Sequence, residues 1–229
     1  MRIRCIIAMI VLALLYSALL SAGTSILPPP NLNKAQRLIF FKDHLKGVPK
    51  GSRIDYDFTN ATQGEEGFSD RIEIDVVNVV ADGKRDLEFH FLSGENHIDF
   101  SPVKAYTGNP VIIHFLERDI SMMAKDTGGS NGFFRNRIRD SFKNPNLVRE
   151  IKFHYGGKEL AGTEVIVTPF AAVPNTDNFK LYVNKRYEFI FSDQVPGGIY
   201  RIHTQVPNEK GGGILIDEDM TFRKITPAI

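Results

Sequence analysis

The sequence predicts a β-rich α+β fold: a curved antiparallel sheet or open barrel, with an N-terminal helix and a central two-helix insertion. Three observations predict it. Apolar and polar residues alternate with period two in segments on both sides of the middle of the chain, and turns rich in glycine, proline, asparagine and aspartate join those segments. Between Asn109 and Pro145 the period changes to the three-to-four spacing of helices. Short turns demand antiparallel neighbours, because parallel strands need a crossover of roughly a dozen residues or more.

Taken in order, Asn33 caps a first helix whose apolar positions Leu38, Phe41 and Leu45 share one side, with Gly47 as its stop. After Pro49-Lys50-Gly51 the period turns alternating. Ile72, Ile74 and Val76 alternate with Glu73, Asp75 and Val77, Asp82-Gly83 turns the chain, and Leu87, Phe89 and Phe91 alternate with Asp86, Glu88 and His90, which describes a hairpin. Ser93-Gly94-Glu95-Asn96 is a second turn, and Ile98 with Phe100 predicts another short strand. Asn109-Pro110 then opens a helix with Ile112, Leu116, Ile120 and Met123 as its buried stripe, ended by Gly128-Gly129. Ser130 or Asn131 caps the next, bearing Phe134, Ile138 and Phe142 and stopped by Asn144-Pro145. Alternation resumes at Ile151, Phe153 and Tyr155, turns at Gly156-Gly157, and runs through Val165 and Val167. Tyr187, Phe189 and Phe191 lead through Val195-Pro196-Gly197-Gly198 to a strand around Tyr200 and Ile202. A last strand is expected near Ile214 to Ile216 or Met220 to Phe222. The total is about eight or nine strands, with no repeat of fixed period.

The first residues read as an address. Arg2 and Arg4 precede an apolar run from Ile6 to Leu20, and Ser21-Ala22-Gly23 supplies small residues for cleavage, so residues 1–22 are expected to be a secretory signal peptide. The run is short of the roughly 20 apolar residues that span a membrane, so no stable span is expected after cleavage and the location is periplasmic or secreted. Residues 23–32, with Pro28-Pro29-Pro30, read as an extended spacer, and residues 33–229 as one domain. The single cysteine, Cys5, falls inside the signal and away from the cleavage point, so neither disulfides nor a lipid anchor on a first cysteine is expected. Without Arg2 and Arg4 the chain carries 26 basic against 27 acidic residues, which argues against nucleic acid as a partner.

Candidate chemistry is sparse. Gly128-Gly129-Ser130-Asn131-Gly132 contains the Gly-x-Ser-x-Gly spacing of a hydrolase elbow, with Asp177 or Asp193 and His203 in triad order; but an elbow needs a strand before it and a parallel sheet around it, so a turn between helices is the stronger reading of Ser130. The histidines at 44, 90, 97, 114, 154 and 203 form no ligand set, so neither a metal nor a cofactor is expected. Asn60-Ala61-Thr62 matches a glycosylation triplet, relevant only in a eukaryotic secretory route. Arg135 and Arg139, one helical turn apart behind a glycine-rich turn, are candidates for holding an anionic head, against the alternative of a solvated face. Phe89, Phe91, Phe134 and Ile138 are candidates for lining an apolar site, against the alternative of ordinary core.

The alternating strands, the helix opening at Asn109-Pro110 and the Val195-Pro196-Gly197-Gly198 turn between late strands, in that order behind a signal peptide, resemble the periplasmic lipoprotein carriers, the LolA-like half-barrels. That resemblance rests on order of elements and implies an unclosed barrel whose concave sheet, covered by helices, shelters acyl chains. The expected function is accordingly non-enzymatic: binding of a lipid, another amphipathic ligand or an envelope protein in the concave face. Two other readings are a structural module of an envelope complex, with a filled interior, and a serine hydrolase using Ser130.

Overall fold

In the computed structural model, residues 31–173, 179–208 and 211–227 are described; the expected signal peptide, all but the end of the spacer, and Asp177 lie outside them. The chain first lays down β1 (Arg53–Thr62), β2 (Phe68–Val79), β3 (Arg85–Phe91) and β4 (Val103–Tyr106), each antiparallel to the one before. Two helices follow, α2 (Val111–Thr127) and α3 (Asn131–Ser141), preceded at the start of the domain by α1 (Lys34–Gln36), which continues as a π-helical turn through Phe41. Five further strands then run β5 (Leu147–Tyr155), β6 (Lys158–Val167), β7 (Arg186–Phe191), β8 (Ile199–Pro207) and β9 (Ile214–Thr226), again each antiparallel to the last.

The two meanders become one sheet because β9 pairs along β1, from Arg53↔Thr226 to Thr62↔Ile216. The resulting order, β4-β3-β2-β1-β9-β8-β7-β6-β5, puts β4 and β5 at opposite edges, yet they are joined by the segment that holds α2 and α3. Eight inter-strand steps of about 4.8 Å make that distance about 38 Å along the sheet. At 1.5 Å per residue α2 and α3 measure about 26 Å and 17 Å, so the pair matches the crossing in length. The helices therefore lie across one face of a curved sheet, as the sequence predicts.

Local chemistry accounts for the ends of the elements. Asn33 forms a capping box with Gln36, Ser130 Oγ accepts from the Phe133 N–H to start α3, and Gly128 ends α2 in the left-handed conformation. Three expectations need correction. The first helix ends at Phe41 rather than near Gly47, because the π turn shifts the apolar stripe to Leu38 and Ile39; Phe41 is left exposed and Leu45 enters the core from the following turn. Ile98 and Phe100 do not form a strand: Ile98 makes one bridge to Phe91, and Phe100 stacks on His114 of α2 at 3.9 Å, so pairing resumes only at β4. The end of the domain is one long strand, β9, where two shorter alternatives are expected.

One buried polar node ties four parts of the chain together. Asn109 Nδ2 donates to Tyr56 Oη on β1 (2.7 Å) and to the Gly197 carbonyl in the β7–β8 turn (2.8 Å), while Asn109 Oδ1 accepts from the Val111 N–H at the start of α2 (3.1 Å). The Asn109 N–H donates to His44 Nδ1 (3.2 Å). Glycine is required opposite: a Cβ on Gly197 would stand 2.8 Å from Tyr56 Oη, and one on Gly198 2.7 Å from His44 Cδ2, with φ of +86° and +71°. Burial drives the His44 pKa down to about 4, so its Nδ1 lone pair is free to accept at neutral pH. Asn109→Ala leaves Tyr56 Oη and the Gly197 carbonyl without this donor and is expected to lower stability by about 2–3 kcal/mol, read as a fall in the urea midpoint at unchanged m-value.

Candidate functional site

The helix-covered face is an apolar layer drawn from nearly every strand. Strand parity sends Ile54, Tyr56 and Phe58 of β1, Ile72, Ile74 and Val76 of β2, Tyr187, Phe189 and Phe191 of β7, and Met220 and Phe222 of β9 to the same side. From above, α2 contributes Ile112, Phe115, Leu116, Ile120 and Met123, and α3 contributes Phe134 and Ile138, with Phe142 capping its end. The rings interlock: Phe115 meets Phe58 at 6.2 Å, Phe142 meets Phe189 at 5.5 Å, and Phe134 lies between Phe170 and Phe179. The layer is closed by its own side chains.

Within this layer sits a cluster of charges. Arg118 Nη1 of α2 pairs with Glu218 Oε1 of β9 at 2.8 Å, and Asn60 Nδ2 of β1 donates to the same oxygen at 2.7 Å. Beside it, Asp119 of α2 accepts from Lys185 Nζ, just ahead of β7, and from the Tyr187 hydroxyl. Lys185 and Asp119 are 2% and 1% exposed, so water contributes nothing to their solvation. Cation–π contacts complete the lining, with Arg118 5.0 Å from the Phe58 ring centroid and Lys185 5.3 Å from that of Tyr187. Burial pushes the Glu218 carboxyl up, but Arg118, Lys185 and Asn60 outweigh it and hold its pKa below the ordinary value. Burial and the neighbouring Asp119 push the Tyr187 hydroxyl far up, so it remains a donor. Glu218 Oε2 has no hydrogen-bond partner among the described residues.

Two cations and two carboxylates make the cluster neutral, and two of the four charges belong to the cover while two belong to the sheet side. Such pairs roughly break even against apolar packing, whereas removing one partner is costly. They join α2 to the sheet with little net gain.

The predicted site residues do not converge. Phe91, Phe134 and Ile138 are buried in the covered layer, and Phe89 is half-buried edge-on against His114 at 4.6 Å. Arg135 and Arg139 are exposed on the outer side of α3; Arg135 makes a two-pronged pair with Glu117 of α2 (2.6 and 2.7 Å), and Arg139 lies 3.7 Å from Asp140. Ser130 caps α3 directly after α2, with no strand before it, while His203 sits on β8 bonded to Asp217 and Asp193 pairs with Lys42. The Asn60 amide is engaged by Glu218 rather than presented to solvent. No group of three metal-ligating side chains occurs among the described residues.

An open groove of about 590 Å³ between Asp70, Arg71 and Arg223 lies on the outer face, lined largely by charged and polar residues. One of about 540 Å³ lies between Asp43, Lys46 and the Val195–Gly198 turn, and a smaller one of about 250 Å³ reaches the edge of the covered layer at Leu38 and Phe191.

Residue parity carried a signal for the charge cluster. Asp119 lies three residues after Leu116 and four before Met123, on the apolar stripe; Lys185 shares parity with Tyr187 and Phe189, and Glu218 with Met220 and Phe222. Charges at apolar positions announce a buried pair.

No family model matches the chain, and no curated protein matches it. Solved structures do show similarity over most of the length. LprF from Mycobacterium bovis is 11% identical with a TM-score of 0.33, over 85% of this chain and 94% of that one. A LolA superfamily protein from Nitrosomonas europaea is 7% identical with a TM-score of 0.23, again over 85% of this chain and 94% of that one.

Lys185→Met leaves Asp119 buried with only the Tyr187 hydroxyl and is expected to cost about 3–5 kcal/mol; adding Asp119→Asn, which keeps an acceptor for Tyr187, should recover most of that loss. Equilibrium urea unfolding of the wild type, the two single variants and the double variant measures the coupling.

Proposed function

We propose that this chain is an exported, non-enzymatic envelope protein that receives the apolar part of a lipid or other amphipathic ligand between the sheet and its two-helix cover. The observation that carries this reading is the joint between them: a wide apolar face is covered by a segment whose central anchorage is a neutral ion cluster. A cover meant only to complete the core would be held as well by apolar residues at those positions. A cover that must leave the sheet and return to one register is served by polar anchors, which align it while adding little to its hold.

The energetics permit exchange. Burying about ten methylenes of an alkyl chain gains roughly 8 kcal/mol. That sum is comparable to the apolar burial given up when part of a helix leaves the sheet. Phe134 and Ile138 of α3, and Phe91 and Phe89 of β3 five strands away from β7, are the proposed contacts for apolar chain within the covered layer; Arg135, now paired with Glu117, and Arg139 stand in water at its rim. The geometry, rather than the solved structures, supports this reading.

Native mass spectrometry of the purified protein, with a fluorescent fatty acid titrated into the delipidated form, tests it. The expected results are a co-purified lipid mass and saturable uptake that raises the unfolding temperature with ligand concentration. Finding neither would contradict the reading and favour a module whose filled interior is only structural.

A further inference from the structure

The charge cluster specifies what the ligand carries at its polar end. This inference rests on the binding reading above and deepens it. Of the cluster's groups, Lys185, Tyr187, Glu218 and Asn60 belong to the sheet side, while Arg118 and Asp119 belong to α2. If α2 separates from the sheet, Arg118 and Asp119 leave with it. The Lys185 ammonium and the Tyr187 hydroxyl are then two donors converging on the position that the Asp119 carboxylate now fills. With α2 in place both residues are buried to within 2% of full burial, so Asp119 is the group that now satisfies them.

We infer that Asp119 is an internal stand-in for the ligand's head, and that the ligand is an amphiphile ending in a carboxylate, bound by Lys185 Nζ and Tyr187 Oη.

Placement supports this assignment. The cluster lies near the end of the sheet where β7 and β9 begin and β1 ends, and from Tyr187 the covered face continues apolar through Phe189 to Phe191. Four strand residues rise about 13 Å, the length of an alkyl chain of about ten carbons laid along the strand. A head on Lys185 and a tail along β7 therefore fit one molecule. Withdrawing α2 removes Arg118 and Asp119 together and leaves Lys185 and Glu218 on the sheet side, so the selection is local: a carboxylate satisfies both donors at the Asp119 position, an alcohol accepts from them without charge, and a cationic head offers them no acceptor. A planar carboxylate also reproduces the geometry Asp119 already satisfies.

Three probes of equal chain length separate the possibilities in competition titrations on the full chain: hexadecanoate, hexadecanol and hexadecyltrimethylammonium. The carboxylate is expected to bind at least about tenfold more tightly than the alcohol, and the cation least well. Asp119→Asn, which removes the internal competitor and leaves Lys185 unpaired, should widen the carboxylate-to-alcohol ratio. Lys185→Met with Asp119→Asn, in which both charges are gone and Tyr187 keeps a partner, should bring that ratio near one while alkyl binding persists. Equal binding of all three probes, or a ratio unmoved in the double variant, overturns the head site and leaves the binding reading standing. Binding of none overturns both.

Discussion

The structure depends on the pairing of its last strand with its first. Because β9 closes along β1, the two meanders grow outward in opposite directions and their free ends, β4 and β5, finish at opposite edges of the sheet. The chain between them has to cross the whole face. Helices α2 and α3 are that crossing, and their length and buried stripes follow from it. The cover is thus a topological consequence, tied at both ends to the strands it spans and free to be displaced only as a bridge.

Two polar devices hold this bridge, and they differ in kind. At one end the Asn109 node is neutral, uses every polar atom of the Asn109 side chain and is shared with Tyr56, His44 and the Gly197-Gly198 turn, so it fixes where α2 starts. Further along, the Arg118–Glu218 and Lys185–Asp119 pairs join the middle of α2 to β9 and to the approach of β7. The hydrogen bonds of the first set the position of buried polar groups that are costly to leave unpaired, whereas the ion pairs of the second add little net stability over apolar packing while fixing alignment. On the proposed binding reading, Asn109 is the hinge and Arg118-Asp119 the latch.

Much of this is legible in the sequence, and the failures have physical causes. Period-two alternation locates β2, β3 and β5 to β8 and the facing of β2, β3, β6 and β7, and Asn109-Pro110 and Ser130 mark the helix starts, because caps and parity are local; in β5 the half-buried Ile151, Phe153 and Tyr155 turn away from the covered layer, and Val148 pairs with Val165 on it. The first helix reads as too long because Leu45 is apolar and buried from a turn, which periodicity cannot distinguish from a fourth helical position. Ile98 and Phe100 alternate like a strand, yet Phe100 is taken by His114 from a helix that follows it in sequence. The apolar candidates Phe91, Phe134 and Ile138 are in the covered layer, and Arg135 and Arg139 are exposed on the solvated face of α3 opposite Phe134 and Ile138. The charges that do enter the layer, Arg118, Asp119, Lys185 and Glu218, are dispersed along the chain and meet only through the crossing.

The central claim is that the cover separates from the sheet as a unit while the sheet persists, and native-state hydrogen exchange reads this directly. The expected result is that amides of α2 and α3 share one opening free energy, well below that of global unfolding, while β1 and β9 amides exchange only through global unfolding. If α2 amides exchange only with the strands, at the global free energy, the cover is simply core and the claim is contradicted.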